Sequence, residues 1–275
     1  MNPTVIANFK RLKCSLYFLP LGLLLGILIF LFFNHAVKAA NYTALQKDCF
    51  IYINARLGQF PDTLYNLTQI GDALIFLSIV SVFFFYAPEI WDALLPASIL
   101  SLIASSTLKN IFSVPRPAAV LDADTFIIIG QKLTGHNSLP SGHSITIFTT
   151  LTILLFAFIP QKTSKKSLWI VLLIGGGLLL ASTRVGVGAH FPLDVITGSL
   201  VGYLCGITGI FIGRKYRTIS LLKNKKYLPV FMLLLLIAGT MIFMKVREEH
   251  LPIYYFTLGA LIYSLYKATD VYSKR

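Results

Sequence analysis

The chain has 275 residues, of which 56% are hydrophobic and 13% charged, with a mean hydropathy of +0.74. A soluble domain carries roughly twice that share of charge, and here the apolar residues fall in long runs, so lipid is the solvent for most of the chain. The net charge of +13 can suggest a nucleic-acid partner, but the cytoplasmic loops of membrane proteins are enriched in Lys and Arg anyway, and no nucleic acid is expected.

In chain order, eight apolar segments are predicted to cross the membrane as helices: 15–34, 70–87, 91–108, 144–160, 167–182, 194–213, 227–245 and 251–267. The basic start, the first apolar run and the small residues near Ala36 also fit a cleaved signal peptide. The run is longer than a usual signal core, which favours a retained span. With the N-terminus inside, the inner segments hold Lys10, Arg11 and Lys13, then Lys162, Lys165 and Lys166. They continue with Arg214, Lys215, Arg217, Lys223, Lys225 and Lys226, and end with Lys267, Lys274 and Arg275. That is 15 of the 24 basic residues, the bias expected of a chain with both termini in the cytoplasm. Segment 36–69 lies outside the membrane and mixes Phe50, Ile51, Tyr52, Phe60 and Tyr65 with polar residues. It reads as a connector packed on the bundle, or as an interfacial wall that admits a lipid. Cys14, Cys49 and Cys205 are far apart and make neither a disulfide framework nor a zinc site.

Three clusters fall on the same, outer side. Lys109 and Arg116-Pro117 follow the third span. Pro140-Ser141-Gly142-His143 leads into the fourth. Thr183-Arg184, His190 and Asp194 lie between the fifth and sixth. Lys109, Arg116 and Arg184 supply cations and donors suited to phosphate oxygens. Gly142 lets backbone approach an anion at a helix N-terminus, and Ser141 adds a hydroxyl. With Pro192 in the first turn of the sixth span, Asp194 falls about one turn beyond His190. There it can orient one ring nitrogen and leave the other as a nucleophile, with His143 available as a general acid. Singly, such residues are more often interface anchors, caps or satisfied polar groups.

Together these spacings resemble the type 2 phosphatidic acid phosphatase superfamily, which also contains the vanadium haloperoxidases. That family's motifs are Lys, six residues, Arg-Pro; Pro-Ser-Gly-His; and Ser-Arg, five residues, His, three residues, Asp. Only Thr183, in place of Ser, departs from the pattern. The resemblance covers about residues 15–213. It implies an all-α membrane protein: a six-helix phosphatase core in residues 1–213, then a basic cytoplasmic loop and two additional spans in 214–275.

By the same resemblance Lys109, Arg116 and Arg184 bind phosphate with Ser141 and Gly142. His190 attacks phosphorus to give a phosphohistidine, Asp194 orients it, and His143 protonates the leaving group. No cofactor or metal is expected, since three cations can neutralise the phosphate. Asp122 and Asp124 form a possible magnesium pair, more readily read as a solvated loop, and His136 as a surface residue. Asn41 and Asn66 head glycosylation sequons, informative only in a host that glycosylates. The expected partners are the bilayer and a phosphorylated lipid in it, with the site on the periplasmic face of a bacterial inner membrane. Candidate substrates are undecaprenyl diphosphate, phosphatidylglycerol phosphate, phosphatidic acid and lipid A phosphates. The alternatives are a lipid-to-lipid phosphotransferase using the same intermediate, and a transporter or structural membrane protein with a vestigial site. The motifs do not specify the oligomeric state.

Overall fold

A computed structural model describes residues 1–216 and 228–274, and every regular element among them is helical. Of the inner-face basic residues, Arg217, Lys223, Lys225, Lys226 and Arg275 lie outside the described residues.

The chain begins with α1 (Pro3–Lys10), capped by Asn2, whose side chain accepts from the Thr4 and Val5 N–H groups, a preferred N-cap with Pro in the first turn. Helix α2 (Phe18–Phe33) presents Phe18, Leu19, Phe32 and Phe33 outward, an apolar face that only lipid covers at low cost. Segment 36–69 folds as α3 (Ala39–Leu57) and α4 (Pro61–Thr68), and α3 buries Tyr42, Gln46, Phe50 and Asn54 at four-residue spacing, one face of a helix. Helices α5 (Ala73–Val80), capped by Asp72, and α6 (Phe83–Tyr86) follow. Next come α7 (Pro88–Phe112) and the short α8 (Pro117–Val120). Helix α9 (Gly142–Ala157) is capped by Ser141, and α10 (Thr163–Gly186), α11 (Pro192–Tyr216), α12 (Leu228–Glu248) and α13 (Pro252–Lys274) complete the chain.

Five helical stretches are long and apolar enough to cross a membrane: Cys14–Phe33, Pro88–Val120, Thr163–Gly186, Pro192–Tyr216 and Leu228–Glu248. The pair Pro61–Gly71 and Ala73–Val80, bent by 73°, makes a sixth if taken as one span. The segment expected to span at 70–87 is divided into α5 and α6 by a turn at 81–82, so it is not one continuous helix. The Ser81 hydroxyl donates to the Ser78 carbonyl and pairs with Ser264 where α5 ends. Helix α9 has only 16 residues, short for a bilayer core that takes about 20. It is nonetheless enclosed by α7, α10 and α11.

Helix α11 lies between α9 and α7. Lipid supplies no hydrophobic drive between helices, so close backbone approach has to. A Cβ on Gly198 would stand 2.6 Å from the Ser141 carbonyl oxygen, and one on Gly202 2.4 Å from that of Ile145. Both lie inside van der Waals contact, so only glycine fits. Thr149 bridges the same seam by donating to the Gly202 carbonyl at 3.2 Å. At the periphery, α12 and α13 pair and pack on α5, with Phe231 stacked on Phe84 at 3.6 Å between centroids. They also hold α4 and the start of α5: Tyr65 donates to Glu249 at 2.5 Å, and Lys245 pairs with Asp72 at 3.4 Å.

Gly202→Leu should force α9 and α11 apart. A loss of about 3 kcal/mol, at the upper end of overpacking costs, is expected as a lowered Tm of the purified protein in detergent; an unchanged Tm would contradict this packing.

Candidate active site

The three clusters meet at one end of the bundle, where α7 and α10 finish and α9 and α11 begin. Each cation has its own anchor. Lys109, in the last turn of α7, places its Nζ 3.4 Å from where a Gly142 Cβ would stand, over the start of α9. The Arg116 backbone N–H donates to the Gly135 carbonyl at 3.0 Å. Its Nε donates to Asn137 Oδ1 at 2.8 Å and its Nη1 to the Ala189 carbonyl at 3.2 Å. Arg184, buried in the last turn of α10, donates from Nη1 to the Thr68 hydroxyl at 2.7 Å. Its Nε is buried and has no hydrogen-bond partner, and a donor left so costs about 1–3 kcal/mol, more when charged. The three cations are close enough to repel one another, an arrangement that an entering anion relieves.

His190 is 1% exposed, with Nε2 3.4 Å from Arg116 Nη1. On its other side Nδ1 lies 3.6 Å from Asp194 Oδ2, longer than a hydrogen bond, and 3.4 Å from the Ser138 hydroxyl. Ser138 donates to that same Oδ2 at 2.6 Å, so it bridges the pair. Asp194 is fully buried and also accepts from the Tyr42 hydroxyl at 2.7 Å and the Phe191 N–H at 2.9 Å. Its carbonyl accepts from the Ser141 N–H at 3.0 Å, which ties the second motif to the third. Ser141 Oγ accepts from Ser144, leaving its own proton free to donate. The His143 ring rests on Gly71, where a Cβ would come within 2.7 Å of it, and all three cations and His190 act on it electrostatically. Thr183 turns its hydroxyl back to the Leu180 carbonyl at 2.6 Å, so the substitution of Ser is absorbed inside α10.

Burial, and then the charges of Arg116, Arg184 and Lys109, push the His190 imidazole well below its ordinary range, so the ring is neutral at neutral pH. Burial and the neighbouring Asp194 raise the Tyr42 phenol well above its own, which keeps it a donor. No group of three or more His, Cys, Asp or Glu side chains suited to a metal occurs among the described residues. Asp122 and Asp124 are exposed at a single turn, and His136 is exposed in the loop beside Asn137.

Sequence reasoning missed Ser138, Asn137, Tyr42, Thr68 and Asn54. Asn54 is the most heavily used: it donates to the carbonyls of Ile127, Val185 and Gly186 and accepts from the Ile127 N–H. It thereby pins the loop before α9 to the end of α10. The only advance signal was its place on the buried face of the amphipathic segment.

A neutral buried imidazole among three cations, beside a helix N-terminus and the ends of lipid-facing helices, is an arrangement suited to an anion such as phosphate at the membrane surface. The chain matches the model of the PAP2 superfamily over residues 91–218. It is 25% identical over 183 residues to an undecaprenyl-diphosphatase of Sulfolobus acidocaldarius, a match that spans 66% of this chain and 84% of that one. It is 26% identical over 257 residues to phosphatidylglycerophosphatase B of Haemophilus influenzae, spanning 78% of this chain and 100% of that one. Among solved structures, LpxE of Aquifex aeolicus matches with a TM-score of 0.49 and 27% identity, over 61% of this chain and 95% of that one.

The depressed imidazole has a kinetic consequence. The acid limb of kcat/KM for phosphate release, corrected for substrate ionisation, should have its midpoint below the usual histidine value of about 6.5. A midpoint at or above that value would contradict the environment described for His190.

Proposed function

We propose that this protein hydrolyses a phosphomonoester or diphosphate of a membrane lipid through a phosphohistidine on His190. The observation that carries the reading is the buried, neutral His190 ring with Arg116, Lys109 and the unpartnered Arg184 Nε around it. In this reading the cations and Ser141 hold the phosphate while His190 Nε2 forms a bond to phosphorus. The bond from phosphorus to the lipid oxygen breaks, and His143 gives that oxygen its proton. Water then attacks phosphorus and loses a proton to His143, the P–N bond breaks, and phosphate departs. Asp194, through Ser138, holds Nδ1 protonated. Three cations supply the neutralisation that phosphoryl transfer needs, so the reaction is expected to persist in EDTA.

A lipid substrate is favoured by a groove of about 430 Å³ that leaves His143 between α5, α7 and α9. Its walls alternate apolar side chains, Leu77 and Leu102, with the hydroxyls of Ser98, Ser101, Ser105 and Thr149. A lipid tail can lie there with its head group at the cations. The names of the two relatives, a diphosphatase of undecaprenyl and a phosphatase of phosphatidylglycerophosphate, make those two head groups the first to try. The inside-basic charge pattern supports eight crossings, both termini cytoplasmic and the pocket periplasmic in a bacterial inner membrane. On this reading 1–213 form the catalytic core and 214–275 a basic loop with two buttressing spans.

The test is phosphate release from purified protein over undecaprenyl diphosphate, phosphatidylglycerol phosphate, phosphatidic acid and lipid A. At least one lipid should be hydrolysed, and His190→Ala should lower the rate at least about 10⁴-fold, the usual scale for losing a covalent nucleophile. Activity retained in His190→Ala would overturn the nucleophile. Label recovered on a second lipid instead of as free phosphate would replace hydrolysis by transfer.

A further inference from the structure

At the end of the bundle opposite the phosphate pocket, two cavities adjoin in one groove. One, of about 470 Å³, is lined at its outer end by Arg11, Lys13 and Lys166. The other, of about 360 Å³, is apolar and runs between α2, α9, α10 and α11 past Leu151, Leu173, Leu178 and Leu200. Leu155, Ile174 and Tyr203 line both, so the two lie end to end along one face of the bundle.

The charged end is built rather than incidental. Asn8 is 2% exposed and donates to the carbonyls of Ala157 and Ile159, where α9 ends. Gln161 donates to Asn8 at 2.8 Å and accepts from Arg11, so this guanidinium is tied to the helix ends. No Asp or Glu lines either part of the groove, and neither Lys13 nor Lys166 has an ion-pair partner among the described residues. Three cations thus stand at the mouth of an apolar channel with no carboxylate among the described residues lining it. The neighbouring cavity under α1 differs, for there Lys10, Arg214 and Lys215 share the lining with Glu89 and Asp92.

Length selects the occupant. From Lys166 to Leu178 along α10 is twelve residues, about 18 Å at the helical rise. That is close to the depth of one leaflet in a hydrocarbon core of about 30 Å. A soluble phosphate would use only the mouth, whereas a phospholipid uses the cations and the channel together. No His, Asp, Glu or Cys among the described residues lines the groove to carry chemistry. Its charged mouth lies beyond the end of α9 opposite Gly142, roughly 24 Å of helix away, and its apolar part ends at Phe148, about 9 Å short of Gly142.

We propose that this groove is a second, non-catalytic lipid site that holds an anionic phospholipid of the leaflet opposite the active site. Arg11, Lys13 and Lys166 hold the head group, and one acyl chain lies against α9, α10 and α11. Bound there, the lipid fastens α1 and the start of α10 to the far end of α9, the same helix that carries Ser141 to His143 at its other end.

Native mass spectrometry of the full chain in detergent reads the binding directly, with phosphatidylglycerol and phosphatidylcholine of matched chains as probes. Wild type should retain phosphatidylglycerol at least about ten-fold more tightly, since each basic residue beside an anionic head group adds appreciably to affinity. The triple variant Arg11→Gln, Lys13→Gln, Lys166→Gln should abolish that preference. Leu200→Trp, which fills the channel and keeps the cations, should weaken phosphatidylglycerol as well. Arg184→Gln, altered only at the phosphate pocket, should bind it as wild type does. Equal retention of the two lipids would overturn the site. So would indifference to the triple variant, or loss of binding in Arg184→Gln, which would place the lipid in the catalytic pocket. Binding untouched by Leu200→Trp would also overturn it, reducing the site to a surface charge effect. The triple variant replaces only exposed side chains, and a Tm equal to wild type separates lost binding from lost folding.

Discussion

Helices α9 and α11 touch backbone to backbone where both begin, and the site is assembled across that contact. The Ser141 carbonyl lies where a Cβ on residue 198 would be, and the Ser141 N–H donates to the Asp194 carbonyl. With the seam closed, the helix carrying His143 and the helix carrying Asp194 have almost no freedom to separate. A side chain at 198 or 202 would move two motifs at once, which is why α11 carries glycine there rather than the leucine that suits a lipid-facing span. Small residues at a helix interface do in a membrane what a hydrophobic core does in water.

That rigidity matters because the pocket holds like charges together. Lys109, Arg116 and Arg184 repel one another, and Arg184 keeps a buried N–H without an acceptor. Such an arrangement persists only where the surrounding packing determines it. An anion placed between them would offset the cost, and the same field that keeps His190 neutral would then have a charge to act on. Asp194, saturated by Tyr42, Ser138 and Phe191, provides fixed negative charge behind the ring without competing for the front of it. Electrostatic preorganisation of this kind is the main resource available for phosphoryl transfer.

Much of the support comes from outside the stretch that matches the superfamily. Tyr42 and Asn54 lie on α3, Thr68 on α4, and Gly71 at the start of the broken span, all before residue 91. Helices α12 and α13 lie beyond residue 218 and brace α4 and α5 through Tyr65, Glu249, Asp72 and Lys245. The family-matched stretch carries the three motif clusters, and the flanking helices hold them and form one wall of the groove at His143. Differences among relatives in head-group choice therefore have a natural location in these flanks.

Most of the long apolar helices and the three motif clusters were legible in the amino-acid sequence, because hydropathy over a bilayer's length and fixed motif spacing are local properties of a chain. His190 and Asp194 four apart, Pro192 between them, and Lys109 seven before Arg116 could be read without coordinates. What could not be read was long-range. Ser138 between His190 and Asp194, Tyr42 on the same carboxylate, Asn54 joining two distant loops, and the break between α5 and α6 depend on residues tens or hundreds of positions apart. A hydroxyl or an amide acquires such a role only through the partner that folding brings to it, and nothing in its immediate neighbours marks that partner. The sequence determined which chemistry the chain carries. Tertiary structure alone decided which polar groups hold it in place, because buried hydrogen bonds must be satisfied by whatever packing puts within 3 Å or so.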